Sequence, residues 1–221
     1  MDAKKIAAEK AVQEVKSGMT VGLGTGSTAF WAIQKIGELI KEGLEIKAVA
    51  TSKRSEDLAK QLTIPIVSFS QITQIDIAID GADEVDNHRN LIKGGGGALL
   101  REKIIAYNSL RFLVVVDASK RVPSLGTFLL PVEVVPFAVE LTLKRLAALG
   151  GSPKLRSKEG TLFITDNGNL IADCAFFPIN DPAALNTKLH LIPGVVETGL
   201  FLSEQVSTIY VGSENGNVQI L

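Results

Sequence analysis

The sequence is poor in cysteine, in long apolar runs and in clustered charge, and each shortage removes a class of protein. Cys174 is the only cysteine among 221 residues, so no disulfide can form within the chain. We expect this thiol to be a packed side chain rather than a nucleophile. No apolar run approaches the roughly 18 residues of a membrane span, and the charged start Met-Asp-Ala-Lys-Lys is not typical of a secretion signal. These features predict a cytoplasmic protein.

The charges are balanced and dispersed along the chain. There are 23 Lys and Arg residues against 24 Asp and Glu residues, which gives a net charge of −1, and no run of five or six like charges occurs. The chain therefore has no general attraction to nucleic acid or to an anionic membrane. Any phosphate that it binds is expected to be a single group, held locally. The length suits one large domain, or one domain and a small second one.

Short apolar runs alternate with helical periodicity through the first half of the chain. Strands are predicted at 20–23, 44–50, 75–79 and 111–116, and helices at 4–17, 29–40, about 53–61 and 98–109. Strands that alternate with helices form right-handed βαβ units and a parallel sheet. We therefore predict an α/β fold, a Rossmann-like open parallel sheet with helices on both faces.

The pattern changes near Gly126. A proline-bracketed strand at 130–136 and a helix at 137–149 precede a predicted β-hairpin over 162–174, which turns at Asn167-Gly168. A helix at 181–190 and a last strand at 207–211, which returns to the first sheet, complete the pattern. We predict a Rossmann-like catalytic domain from residues 1–126 and 203–221, and a smaller α+β domain from 127–202.

Polar or reactive residues follow all four early strands. They are Gly24–Thr28, Thr51–Lys53, Asp80–Asp83 and Asp117–Lys120. Ligands of open parallel sheets bind outside the carboxyl ends of the strands, so these segments predict one binding edge.

The segment Gly24–Thr28 lies between a strand and a helix, where backbone N–H groups and the helix N-terminus favour a phosphate. A dinucleotide is disfavoured, because Glu45 opens the second strand and no acid stands at its end. No Walker lysine follows either. A tight glycine turn without a ligand is the alternative.

The stretch from Asp80 to Glu102 combines carboxylates, a lysine and four consecutive glycines. The acids fit turn chemistry, and we interpret Glu84, Asp86, Asn87, His88 and Asn90 as loop; a hard-cation site is the less favoured reading because EF-hand spacing is absent. Lys93 beside glycine N–H groups would stabilise developing negative charge. Glu102, in the first turn of a helix, is either a general base or a glutamate that favours the helix dipole.

Eight segments resemble those of ribose-5-phosphate isomerases of the A type, in the family's order and over nearly the whole chain. They are GLGTGST (22–28), ATS (50–52), DGADEVD (80–86), KGGGGALLREK (93–103), VVDASK (115–120), LPVEVVPFA (130–138), NGNLIADC (167–174) and PGVVETGLF (193–201). The resemblance implies interconversion of D-ribose 5-phosphate and D-ribulose 5-phosphate, with no metal and no cofactor. It also implies a homodimer, with a tetramer as the alternative, and a small-molecule sugar phosphate as the substrate.

The resemblance assigns roles to particular residues. It implies that Glu102 moves the proton between C2 and C1, and that Lys93 stabilises the enediolate oxygen together with Gly94, Gly95 and Gly96. It places Asp80 and Asp83, with Gly81 and Ala82 between them, at the sugar hydroxyls, and makes Asp80 a candidate for assisting ring opening. Thr25, Gly26, Ser27 and Thr28 would hold the phosphate region, and Lys120 would add a further charge.

Two other classes share this type of fold. A sugar-phosphate sensor would have no use for a glutamate beside Lys93, and the sequence has no basic patch for DNA. An amino-sugar phosphate deaminase or a CoA transferase is not excluded by fold alone. The motifs favour the isomerase.

Overall fold

The computed structural model describes residues 2–221, which contain six α-helices and fifteen β-strands. The helices are α1 (Ala3–Val12), α2 (Ser27–Lys41), α3 (Lys53–Gln61), α4 (Leu99–Tyr107), α5 (Val139–Ala148) and α6 (Pro182–His190). The strands are β1 (Thr20–Leu23), β2 (Lys47–Ala50), β3 (Ile77–Asp80), β4 (Glu84–Val85), β5 (Leu91–Ile92), β6 (Phe112–Asp117), β7 (Leu130–Val134), β8 (Pro153–Leu155), β9 (Ser157–Lys158), β10 (Thr161–Leu162), β11 (Leu170–Cys174), β12 (Val195–Thr198), β13 (Leu200–Phe201), β14 (Thr208–Gly212) and β15 (Val218–Ile220).

Backbone contacts divide these elements into two compact units. The first comprises the chain up to Ala82, Arg101–Lys120 and Glu204–Leu221, and the second comprises Asp83–Leu100 and Arg121–Ser203. Residues 83–100 and 121–126 thus belong to the second unit by contact. The domain boundaries at 127 and 202 stay a prediction about independently folding parts.

The first unit is built on a six-stranded sheet with the order β15-β14-β6-β3-β1-β2. The strands from β14 to β2 are parallel to their neighbours, and only β15 is antiparallel to its neighbour. This topology confirms the predicted α/β fold. The last predicted strand does return to the first sheet, where β14 pairs with β6.

Helices cover both faces of this sheet, which explains why its central strands are apolar without alternation. Val21 and Leu23 of β1 pack in a core cluster with alanines of α1 and with Ile33 and Ile36 of α2. Gly22 faces the other way. A Cβ atom there would lie 2.6 Å from Ile105 of α4, so the glycine gives α4 room to pack against β1.

Helix α1 is shorter than its apolar periodicity predicts. The side chain of Asp2 caps its start by accepting from the N–H groups of Lys4 and Lys5, and the helix ends at Val12 rather than at residue 17. Beyond it the chain turns so that the N–H group of Gly18 donates to the carbonyl oxygen of Glu45 at 2.7 Å. This contact with a residue distant in sequence, which periodicity does not report, aligns the segment that enters β1.

The second unit contains a four-stranded antiparallel sheet, β12-β7-β11-β8, a three-stranded sheet, β13-β5-β4, and the pair β10-β9. Its core gathers Leu130, Val132 and Val134 of β7 with Leu146 of α5 and Leu189 of α6. No helix in residues 2–221 combines the length and apolar character that crossing a lipid bilayer requires.

The predicted hairpin over 162–174 is present at its turn, but its two arms do not continue as one ladder. The N–H group of Thr165 donates to the carbonyl oxygen of Asn169 at 2.9 Å, and Ile164 forms an antiparallel bridge with Leu170. Beyond this bridge, β11 pairs with β7 and β8, while β10 pairs with β9. Leu170–Cys174 is mostly buried, whereas Leu162 and Ile164 are exposed. Burial therefore draws β11 into the larger sheet and leaves the preceding strand outside it.

Candidate active site

In the first unit, Asp80 and the glycine loop are interlocked. Asp80 ends β3, is 2% exposed, and accepts hydrogen bonds at Oδ1 from the N–H groups of Thr25 (2.9 Å) and Gly81 (2.7 Å). A Cβ atom on Gly24 would lie 2.6 Å from the Cα atom of Asp80, closer than real side chains approach. The loop therefore requires glycine at position 24, and it fixes the direction of the Asp80 carboxylate.

A network of four hydroxyl groups supports the same loop. The Oγ1 atom of Thr25 lies 2.7 Å from Thr51 Oγ1, 2.8 Å from Ser52 Oγ and 3.1 Å from Ser55 Oγ. Ser55 in turn donates to the carbonyl oxygen of Gly24 at 2.7 Å. The Thr25 hydroxyl thus holds the loop in shape. The sequence analysis missed Ser55; Ser52, the N-cap of α3 three residues earlier, is the local signal for its position.

The start of α2 has the features of an anion site. Gly26 is the N-cap, so the N–H groups of the first turn lie at the positive end of the helix dipole. Lys4 Nζ donates to Ser27 Oγ at 3.1 Å, which adds a cation. Thr28, the next residue of the same turn, is buried. Lys4 was predicted only as part of an amphipathic helix, and no local pattern links it to this loop.

The other predicted residues of the first unit follow neighbouring parallel strands. Gly81 and Ala82 are half-buried after β3, and a Cβ atom on Gly81 would lie 3.8 Å from Thr28. Lys120 ends a short 3-10 helix directly after β6. Since β1, β3 and β6 are parallel, their carboxyl ends form one edge of the sheet.

Glu102 lies in the first turn of α4 and is 4% exposed.

In the second unit, Asp83 and the tetraglycine segment are interlocked in the same manner as Asp80 and Gly24. Oδ2 of Asp83 accepts from the N–H group of Gly95 at 2.7 Å, and a Cβ atom on Gly95 would lie 2.5 Å from Oδ1. Gly94 and Gly97 have φ values of +99° and +80°, and the N–H group of Gly97 donates to the carbonyl oxygen of Gly94 at 2.9 Å. Left-handed backbone at both positions favours glycine.

Lys93 precedes these glycines and is 2% exposed. Its N–H group donates to the carbonyl oxygen of Gly199 at 2.9 Å, and its Nζ atom lies 5.3 Å from the centroid of the Phe201 ring. The aromatic face favours the charged ammonium group. A buried cation held in this way is suited to stabilising negative charge.

Glu84 and Asp86 have structural functions. Glu84 lies in β4, not in a loop as predicted, and its carboxylate accepts from the N–H groups of Gly126 (2.7 Å) and Phe128 (2.6 Å). Asp86 closes a turn by accepting from the N–H groups of His88 and Asn90. Among residues 2–221, no group of three or more His, Cys, Asp or Glu side chains is arranged to hold a metal ion.

These features define a class of protein: an α/β protein whose first unit has a Rossmann-like sheet with a glycine loop and buried carboxylates at its carboxyl edge, and whose second unit has a buried lysine beside a tetraglycine segment. Comparison with known proteins identifies the family. The family model for ribose 5-phosphate isomerase A (phosphoriboisomerase A) matches residues 47–216. The chain belongs to this family, which confirms the resemblance seen in the sequence.

Relatives and solved structures match over almost the full length. Ribose-5-phosphate isomerase A of Bacillus mycoides is 52% identical over 217 residues, 98% of each chain, and that of Sphingopyxis alaskensis is 52% identical over 94% of this chain and 91% of its own. The structure of the enzyme from Methanocaldococcus jannaschii has a TM-score of 0.94 at 41% identity, and covers 100% and 98% of the two chains. A D-ribose-5-phosphate isomerase in complex with phospho-erythronic acid has a TM-score of 0.95 at 40% identity, with coverage of 100% and 97%.

Proposed function

We propose that this protein interconverts D-ribose 5-phosphate and D-ribulose 5-phosphate through an enediolate intermediate, without a metal or cofactor. The observation that carries the proposal is the match to ribose-5-phosphate isomerase A proteins over 98% of the chain. The phospho-erythronic acid bound by a related enzyme supports the substrate class. It is a phosphorylated sugar acid, and its planar carboxylate resembles the planar enediolate.

The phosphate group of the substrate is assigned to the start of α2. The N–H groups of Gly26, Ser27 and Thr28 and the ammonium group of Lys4 all favour a doubly charged anion there. Lys120 supplies a further positive charge at the carboxyl edge of the sheet. Thr25 contributes mainly by shaping the loop, because its hydroxyl and its N–H group are both engaged within the protein.

The sugar hydroxyls are assigned to the carboxylates of Asp80 and Asp83 and to the backbone of Gly81 and Ala82. Each carboxylate has one oxygen fixed by a backbone N–H group, at Thr25 for Asp80 and at Gly95 for Asp83. Fixed carboxylates are good acceptors for hydroxyl groups. Asp80 would also accept the proton of the anomeric hydroxyl when the furanose ring opens.

The chemical step is assigned to Glu102 and Lys93. Glu102 removes the proton from C2 of the open-chain aldose, the electron pair forms the C1–C2 double bond, and O1 becomes negatively charged. Lys93 and the glycine N–H groups stabilise that oxygen. The hydroxyl proton moves from O2 to O1, Glu102 returns its proton to C1, and C2 with O2 becomes the carbonyl group of the ketose. A positioned base contributes about 10²–10⁴-fold and an oxyanion donor about 10²–10³-fold.

The substitution Glu102→Gln tests this assignment, because it keeps the shape of the side chain and removes the base. We expect kcat for ribose 5-phosphate to fall about 10²–10⁴-fold. Glu140→Gln is the matched control, since Glu140 also lies in the first turn of a helix, α5, but is exposed. Ketose formation and loss of the C2 proton are followed by NMR. Isomerisation by Glu102→Gln at the wild-type rate would remove Glu102 from the mechanism.

We also propose that the protein is a cytoplasmic homodimer, with a tetramer as the larger alternative. Exposed apolar side chains of the second unit support self-association, namely Phe137 (89% exposed), Leu141 and Leu191. The single buried thiol of Cys174 is compatible with a reducing compartment. Sedimentation velocity at several concentrations measures the assembly, and a single monomer species would refute it.

A further inference from the structure

Arg156, which is not among the residues assigned to the substrate, contacts the backbone of the tetraglycine segment. It lies between β8 and β9 in the second unit. Its Nη1 atom donates to the carbonyl oxygens of Gly94 at 2.8 Å and Gly95 at 3.1 Å. One guanidinium nitrogen therefore holds two successive peptide groups of the segment next to Lys93.

The guanidinium group is itself held in place. Nε and Nη2 donate to the two carboxylate oxygens of Asp173, at 2.9 Å and 2.5 Å, so the ion pair is bidentate. Asp173 lies in β11, paired on both sides by β7 and β8, and both side chains of the ion pair are less than one-fifth exposed. The Phe163 ring lies 5.9 Å from the guanidinium carbon and fills the space that a side chain at Gly97 would need. An arginine that is paired through two hydrogen bonds with a carboxylate of a central strand, and that lies beside an aromatic ring, is a rigid support.

The direction of the carbonyl groups determines the direction of the N–H groups. In a trans peptide the C=O of one residue and the N–H of the next point opposite ways. The Gly94 carbonyl points to Arg156, and the following N–H group, that of Gly95, points to Asp83 Oδ2. By the same geometry, the Gly95 carbonyl on Arg156 turns the N–H group of Gly96 away from the arginine.

We infer that Arg156, held by Asp173, is a positioning residue that fixes the peptide groups of Gly94–Gly96 so that the Gly95 N–H orients Asp83 and the Gly96 N–H meets the enediolate oxygen. The inference rests on the proposed function. Consecutive glycines have the largest backbone freedom of any residues, so the contacts from Arg156 and Asp83 restrict the rotation of their peptide groups beyond what the Gly97–Gly94 hydrogen bond does. The arginine does not touch the substrate in this scheme and acts through the segment alone.

The substitution Arg156→Met removes the guanidinium fork and keeps an unbranched apolar stem. Misplacing a reacting or stabilising group by about 1 Å costs about 10²-fold, so we expect kcat for ribose 5-phosphate to fall about 10- to 100-fold, with KM changed less than about threefold. The inhibition constant of phospho-erythronic acid should rise with the loss in kcat/KM. Arg145→Met, at an exposed arginine of α5 in the same unit, is the matched control and should match the wild type.

Two further variants separate positioning from a merely structural role. In Arg156→Ala, added guanidinium ion at concentrations below those that unfold the protein should restore kcat at least tenfold, whereas methylammonium should not. Arg156→Lys keeps the charge but cannot hold Asp173 and both carbonyl oxygens together, so it should stay at least tenfold below the wild type. Should the Met and Ala variants not fold, Asp173→Asn weakens the fork with little change in shape and is expected to show the same loss of kcat.

The outcomes distinguish this inference from the proposed function. If the wild type isomerises ribose 5-phosphate while folded Arg156→Met or Asp173→Asn keeps kcat within threefold, the positioning role is overturned and the proposed function stands. The positioning role is also overturned if the variants have a lower melting temperature and fewer active molecules, but an unchanged kcat per active site and no rescue by guanidinium. A wild-type protein without isomerase activity would overturn both.

Discussion

Replacing Gly24 by alanine is the sharpest test of how the first unit fixes Asp80. The added Cβ atom would lie 2.6 Å from the Asp80 Cα atom and would also press on the carboxylate, where 3.4–4 Å is ordinary contact. One of the two segments must therefore move by about 1 Å. Asp80 is held in register with Val114 of β6, so we expect the glycine loop and the Asp80 side chain to shift rather than the strand.

The expected magnitudes follow from these contacts. Overpacking of this kind costs about 1–3 kcal/mol, and weakening the two backbone hydrogen bonds to the Asp80 carboxylate adds to it. We expect the free energy of unfolding to fall by about 2–4 kcal/mol. Because a displacement of about 1 Å in a positioning group costs about 100-fold, kcat/KM for ribose 5-phosphate should fall by about that factor.

Gly43→Ala is the control for destabilisation alone. Gly43 follows α2, has a φ of +105°, and has open space around its Cβ position. Alanine there costs about 1–2 kcal/mol of backbone strain and should leave kcat/KM unchanged. Urea unfolding and steady-state kinetics of both variants form the assay. If Gly24→Ala keeps kcat/KM within threefold of the wild type, Asp80 does not depend on the loop as argued.

Three further predictions concern Lys93, Glu84 and Cys174. Lys93→Met should lower kcat more than it raises KM, because the negative charge that Lys93 meets develops mainly in the transition state. A variant with a raised KM and an unchanged kcat would contradict this. Glu84→Ala leaves the buried N–H groups of Gly126 and Phe128 without their acceptor, and urea unfolding should show a loss of about 2–6 kcal/mol; a loss below 1 kcal/mol would contradict it. Burial raises the pKa of the Cys174 thiol from 9.0 to about 12, so between these values the unfolded chain loses its proton while the folded one keeps it. The wild type should therefore lose stability relative to Cys174→Ala by about 1.4 kcal/mol per pH unit above pH 9, and parallel pH profiles would contradict this.

The local order of elements could be predicted from the sequence because the physics behind it is local. The strands β1, β3 and β6 are continuous apolar runs, since both faces of the sheet are covered, and the helices between them keep their apolar spacing. The segments that carry the proposed chemistry run from Gly24 to Thr28 and from Asp80 to Glu102. Each is continuous in the chain, so it can be recognised in the sequence. The same motifs identified the family.

Local patterns in the sequence are enough to predict the alternation of strands and helices, the glycine loops and Glu102 as the candidate base. The partners that lie far apart in the sequence become visible in the folded chain alone. Arg156 meets Gly94 across 62 residues, Glu84 meets Gly126 across 42, Ser55 meets Gly24 across 31 and Lys4 meets Ser27 across 23. Such contacts depend on strand order and burial, which no local periodicity encodes. For the same reason the hairpin predicted at 162–174 ends after a single bridge, and α1 is shorter than predicted, because in both places burial or a distant hydrogen bond outweighs local preference.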